Sequence, residues 1–184
     1  MGESRNRFGT AYALTVFTAI LPGHTDEVRS LIETLPRGEA APFARLEQVH
    51  FARLQIFDHL VYQGAPQKPD TLKSNYLVFT SSFDGRLDPL LEAICERLPA
   101  EADSWWSHCV GYPGTADRAA FKRYIEHNKI HTSLFGVAYP TASVGDVRES
   151  LALRERVLDF AVEAQGLDAA ELQERFRERF AEAR

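Results

Sequence analysis

Cysteine is scarce: Cys95 and Cys109 are the two in 184 residues, and no Cys-x-x-Cys pair occurs. That excludes a disulfide-dense scaffold and leaves a reducing, cytoplasmic setting as the expected compartment. A basic excess is also lacking. Lysine plus arginine is 21 against 26 acidic residues, a formal net charge of −5. A protein that grips a phosphate backbone carries the opposite bias, so no nucleic-acid partner is expected. No apolar run approaches the length of a membrane helix; the longest, residues 11–21, is about half of what a bilayer requires. The opening MGESRNRFGT has charge but no apolar signal core, and Asn6 stands where a myristoylation start needs Ser or Thr. No membrane partner is therefore expected. Gly-x-Gly-x-x-Gly, the phosphate-binding loop, the Gly-x-Ser-x-Gly elbow and His-Glu-x-x-His are all missing, so no motif names a reaction.

What is present is an ordinary globular balance, 45% hydrophobic and 26% charged residues. The length fits one domain over residues 1–184. Residues 11–21, AYALTVFTAIL, are β-branched and aromatic and read as a buried strand stopped by Pro22-Gly23. Thr25 and Asp26 are suited to cap a helix whose Val28, Leu31, Ile32 and Leu35 recur at helical spacing. VHFARLQIF, 49–57, alternates as a strand; 62–74, with two prolines and a glycine, is a loop; NYLVFTSSF, 75–83, is the next strand. Asp84-Gly85 reads as a turn and helix cap, and 87–98 as a helix with Leu90, Leu91, Ile94 and Leu98 on one face.

ALTVFTAILPGHTDEVRSLIETL and YLVFTSSFDGRLDPLLEAICERL share one plan, strand, glycine turn, then amphipathic helix. With 49–57 after the first and TSLFGVAYP, 132–140, after the second, the expectation is α+β: a ferredoxin-like split βαβ repeated twice, an antiparallel sheet with helices on one face. The core would run over 11–140, with an insertion at roughly 99–131 before the last strand and a helical extension over 143–184, broken near Gly166.

The repeat, together with HFARLQIFD, NYLVFTSSFDG, HCVGYPG and VAYP, resembles a group of uncharacterised bacterial ferredoxin-like α+β proteins, similar in turn to the dimeric α+β barrel superfamily. The resemblance spans roughly 11–140. It implies a small-molecule pocket or dimer interface on the open sheet face. The activities found in that superfamily are cofactor-free monooxygenation, small-molecule isomerisation and haem-dependent oxidation by dye-decolorising peroxidases and chlorite dismutases. No aspartate stands in the setting those peroxidases use, so haem is not carried over by a motif. Fold alone does not choose among these activities.

Strand alternation places Ala52, Leu54 and Ile56 toward the helices and Phe51, Arg53, Gln55 and Phe57 on the open face. A guanidinium and an amide between phenylalanines suit a pocket for a small anionic molecule; a structural salt bridge is the plainer use of Arg53. SWWSHCVGYPG gathers Trp105, Trp106, His108, Cys109 and Tyr112. His108 is the acid/base candidate, or a haem ligand, and is expected to reach the open-face cavity. Tyr124 is a second catalytic candidate; Trp105, Trp106 and Tyr139 join Phe51, Arg53 and Gln55 as substrate-binding candidates. The plainer reading makes the tryptophans core and His108 a satisfied histidine. Cys109, His127 and His131 do not make a ligand spacing, so no metal is expected. Three functions follow: a cofactor-independent oxygenase or isomerase acting on a small apolar or aromatic molecule, a haem-binding peroxidase-like oxidoreductase, and a non-catalytic binding or dimerisation module. A homodimer is expected, because Phe51 and Phe57 would otherwise face water.

Overall fold

The computed structural model describes residues 5–62, 64–66 and 72–181. Residues 1–4, 63, 67–71 and 182–184 lie outside that description. So do the start of the chain read for a signal, part of the loop expected over 62–74 and the end of the C-terminal extension. Two compact units are present, Met1–Val144 and Gly145–Arg184.

The first unit is α+β. Strands β1 (Arg7–Phe8), β2 (Ala11–Ala19), β3 (Val49–Phe57) and β4 (Tyr76–Asp84) form one antiparallel sheet in the order β1-β2-β4-β3. Helix α1 (Thr25–Glu33) connects β2 to β3, and short 3₁₀ turns, Gly38–Ala40 and Pro42–Arg45, lead into β3. Helices α2 (Leu87–Arg97), α3 (Pro99–Trp106) and α4 (Arg118–Asn128) follow β4. The helices cover one sheet face. Tyr12, Leu14 and Val16 of β2 and Leu77, Phe79 and Phe83 of β4 point into that layer with Val28, Leu91, Ile94 and Phe121. Ala52, Leu54 and Ile56 pack against it, as alternation requires. No helix is long and apolar enough to cross a membrane among the described residues.

The strand expected at 132–140 does not form. The fourth strand of the sheet is instead the two-residue β1. The outer edge of β2 is already taken piecewise, which explains the difference. Ala13 N–H donates to the Asn6 carbonyl, Val16 bridges Lys129, Ile130 N–H donates to the Thr15 carbonyl, and Val110 N–H to the Ala19 carbonyl. With those groups satisfied, no ladder remains for a continuous strand. Residues 132–140 run as irregular chain and end where the Pro140 carbonyl accepts from Thr10 N–H at 2.9 Å. That approach requires Gly9: a Cβ built there would stand 1.9 Å from the Pro140 oxygen, at φ +62°.

The insertion between α2 and the end of the unit is helical, and its aromatic residues go inward. α3 begins immediately after Leu98, with Pro99 in the first turn where its missing N–H costs nothing. In the second unit, α5 (Val144–Glu163) and α6 (Ala169–Phe180) are separated at Gly166, φ +88°, as the sequence suggested. Asp168 caps α6 through the N–H groups of Ala170 and Glu171. Phe160 stands edge-on to Phe176 and Phe180, which tilt against each other, and Arg156 lies over the Phe180 ring.

Candidate functional site

The sheet face opposite the helices carries the first candidate. Register places Thr15, Thr80 and Arg53 in one row across β2, β4 and β3, with Ala13, Ser82 and Phe51 in the next. These residues, with Thr132, Leu134 and Phe135 from the irregular segment, line an open cleft of about 590 Å³. Arg53 is exposed, and among the described residues its guanidinium makes no hydrogen bond or ion pair. The structural salt bridge weighed for it therefore has no partner there. Phe51 is 77% exposed and Leu134 88%, so the cleft has apolar walls beside the Arg53 guanidinium. Gln55 shares the face but stands one row further on, opposite Val78, beside a cluster of Phe17, Phe57 and Tyr76 rings.

The other expected site residues lie elsewhere. Trp105 and Trp106 are core, each 1% exposed, and neither lines the Arg53 cleft. Trp105 packs on Phe43, and Trp106 stands edge-on to Phe79 and Phe121. Their place in α3, on the face that meets the sheet, is a packing requirement rather than a binding one. Tyr124 is also core, against Tyr112, and burial pushes its phenol well up. Tyr139 is an exposed residue near the end of the irregular segment. His108 belongs to the helix side of the sheet and not to the Arg53 cleft. Its carbonyl accepts from Leu21 N–H, and its side chain meets the start of α1, whose Val28 is buried in the helix-side core.

At that meeting point the structure assembles a group the spacing did not flag. The cap residue of α1 is His24, one position before the expected Thr25. His24 Nδ1 and His108 Nδ1 are 3.0 Å apart, and Glu27 Oε2 is 3.5 Å from each. Among the described residues this is the group of three metal-type donors held together, all within 4.8 Å of one another. Cys109, His127 and His131 are not gathered: Cys109 is buried against the Thr18 hydroxyl, and both histidines are exposed, with α4 ending at Asn128 between them. The available signal was a His-x-x-Glu at a helix start, which puts both side chains on one side of the first turn. Its partner lies 84 residues away.

The loop bearing His108 is anchored through α3. The Asp103 carboxylate accepts from the Tyr112 hydroxyl at 2.6 Å, Thr115 N–H at 2.9 Å and the Thr115 hydroxyl at 3.0 Å. Burial pushes this carboxyl up, but the Tyr112 and Thr115 bonds outweigh it and hold it below the ordinary value. Burial, and the same bond, push the Tyr112 phenol far up. Burial alone raises the Cys109 thiol to about 11, so it is an inert core group. A second histidine pair joins His50 Nε2 to Asp84 Oδ1 at 2.8 Å, while Asp84 Oδ2 accepts from Val144 N–H at 2.7 Å. Asp84 therefore does not cap α2, whose cap residue is Arg86. Compared with known proteins, the chain matches no family model, no curated protein and no solved structure.

Proposed function

We propose that the protein binds a small amphipathic carboxylate on the open face of its sheet. The observation that carries this is the exposed Arg53 guanidinium, without a partner among the described residues, set in a row with the Thr15 and Thr80 positions and walled by Phe51, Leu134 and Phe135. A planar guanidinium fork takes a carboxylate bidentately, and flanking apolar rings take the body of an aromatic acid. The cleft volume of about 590 Å³ falls in the range used for small molecules. The lining supplies a cation and hydroxyls but no general base, since His108 and Tyr124 lie elsewhere. Binding, rather than proton transfer or haem chemistry, is what this cleft is equipped for.

The strand order supports a ferredoxin-like descent in which β2-α1-β3 makes one complete split unit and β4-α2 begins a second that lacks its last strand. The buried free thiols Cys95 and Cys109 favour a reducing cytoplasmic setting. The exposure of Phe51 and Leu134 favours a second occupant of the same face, another copy of the chain.

Titration calorimetry with benzoate and hydroxyphenylacetate tests the ligand reading. Arg53→Ala should keep the melting temperature and lose affinity by roughly tenfold or more, and Arg53→Lys should recover part of it. Wild-type protein that binds neither acid, and that elutes as a dimer converted to monomer by Phe51→Asp, would transfer the face to self-association.

A further inference from the structure

We propose that His24, Glu27 and His108 form a binding site for a divalent transition-metal ion of the zinc or ferrous class. The site lies on the opposite side of the sheet from the Arg53 cleft and does not depend on it.

Donor spacing is the first ground. Zinc holds imidazole nitrogen and carboxylate oxygen at about 2.0–2.2 Å, so two ligands of one ion stand roughly 3.0 Å apart at a right angle and roughly 3.4 Å apart at a tetrahedral angle. The three separations here are 3.0, 3.5 and 3.5 Å. The carboxylate oxygen is too far from either nitrogen for a well-formed hydrogen bond, yet it is equidistant from both. The histidine pair is itself within hydrogen-bond reach, but the Glu27 oxygen that faces both nitrogens from beyond that reach fits a third ligand of one ion.

Backbone rigidity is the second ground. His24 N–H donates to the Leu21 carbonyl, and the His24 carbonyl accepts from Val28 N–H, whose side chain is fully buried. The His108 carbonyl accepts from Leu21 N–H, so both histidines hang from the same turn after β2. On the far side, Cys109 bridges Ile20, and the Asp103 bonds fix the loop that follows. The backbone that carries both imidazoles is therefore fixed.

The donor set is the third ground. Two imidazoles and one carboxylate suit zinc, ferrous iron and their neighbours, and disfavour calcium and magnesium, which want oxygen throughout. Three protein ligands leave coordination positions for water or a small molecule, and His24 and Glu27 both reach solvent, so those positions are accessible. The side chain of His108 is the most buried of the three. It would carry the inner end of the site.

The experiment uses the full-length protein stripped with a chelator, titrated with zinc by calorimetry and with cobalt by visible absorption. The expected result is one ion per chain, a rise in melting temperature, and cobalt d–d bands of a nitrogen- and oxygen-ligated centre. Glu27→Gln and His24→Gln, both at sites reaching solvent, should each weaken zinc binding by roughly tenfold or more, with the metal-free melting temperature little changed. His108→Ala should abolish binding, and circular dichroism reports whether that variant is folded. No stoichiometric binding by folded wild type overturns the proposal, and so does binding undiminished in the His24→Gln, Glu27→Gln double variant. The first outcome leaves a proton-sharing histidine pair, and the second places the ion on other histidines.

Discussion

Replacing Asp103 by alanine tests whether the aromatic insertion is held by its hydrogen bonds or by its packing alone. Three donors converge on this carboxylate: the Tyr112 hydroxyl, the Thr115 N–H and the Thr115 hydroxyl, with Thr115 itself buried. Bonds to a charged acceptor contribute about 1.5–3 kcal/mol each when fully buried; Asp103 and Tyr112 are only partly so, and about 1 kcal/mol per bond gives a loss of about 3 kcal/mol. For a chain of this length that corresponds to a fall of roughly 6–12 °C in melting temperature. Tyr112→Phe, which removes one donor and leaves the ring contacts with Trp106, Phe121 and Tyr124, should cost about 1 kcal/mol. The two changes should not add, because both delete the same bond. The pH dependence has a fixed sign. The native carboxyl lies below its ordinary value, so its stabilisation is complete above about pH 4 and is lost as pH falls through the lowered native value. The gap between wild type and Asp103→Asn, followed by urea denaturation, should therefore close on acidification below pH 4. A loss under about 1 kcal/mol for Asp103→Ala, or a gap that stays constant with pH, would show that packing alone holds the segment.

Three further outcomes are expected. Gly9→Ala forces a methyl against the Pro140 carbonyl at a positive φ and should destabilise the first unit by about 2 kcal/mol or more in urea titration; an unchanged midpoint would mean the Pro140 contact is not maintained in solution. Cys109, buried and with its thiol raised to about 11, should resist iodoacetamide at pH 8 in the native protein and react once unfolded, as mass spectrometry of alkylated peptides would show. Rapid native labelling would contradict its placement. Asp84→Ala removes the acceptor of both His50 and the Val144 N–H and should cost about 2 kcal/mol in a thermal melt, whereas a neutral outcome would make the pair a surface contact.

The sheet was largely legible because its information is local. β3 matches the alternating stretch 49–57 residue for residue, and the alternation correctly put Arg53 and Phe51 on one face and Leu54 on the other. Residues 132–140 misled for a non-local reason. Their composition suits a strand, but Asn6, Lys129 and Val110 already occupy the edge they would need. The Trp105-Trp106 pair misled in the opposite sense. Aromatic density in an insertion looks like a binding wall, yet α3 turns both rings inward onto Phe43 and Phe79. Neither the His24–Glu27–His108 group nor the Asp103 network could be read from spacing beyond a single turn, because each depends on which loop returns to which helix start.

The piecewise closure of the β2 edge has a consequence for chain synthesis. Strands β2, β3 and β4 are complete by residue 84, and Asn6 and β1 cover the start of the outer edge of β2, but the rest of that edge is sealed by Val110, Lys129 and Ile130. A chain emerging from the ribosome thus presents a paired sheet whose β2 edge stays raw beyond its first residues for the time it takes to make some fifty more residues. During that interval Thr15 and Ala19 offer backbone groups to any extended segment nearby, including the same strand of a neighbouring nascent chain. Fragments cut before residue 110 should inherit that exposed stretch permanently and aggregate where the longer chain does not.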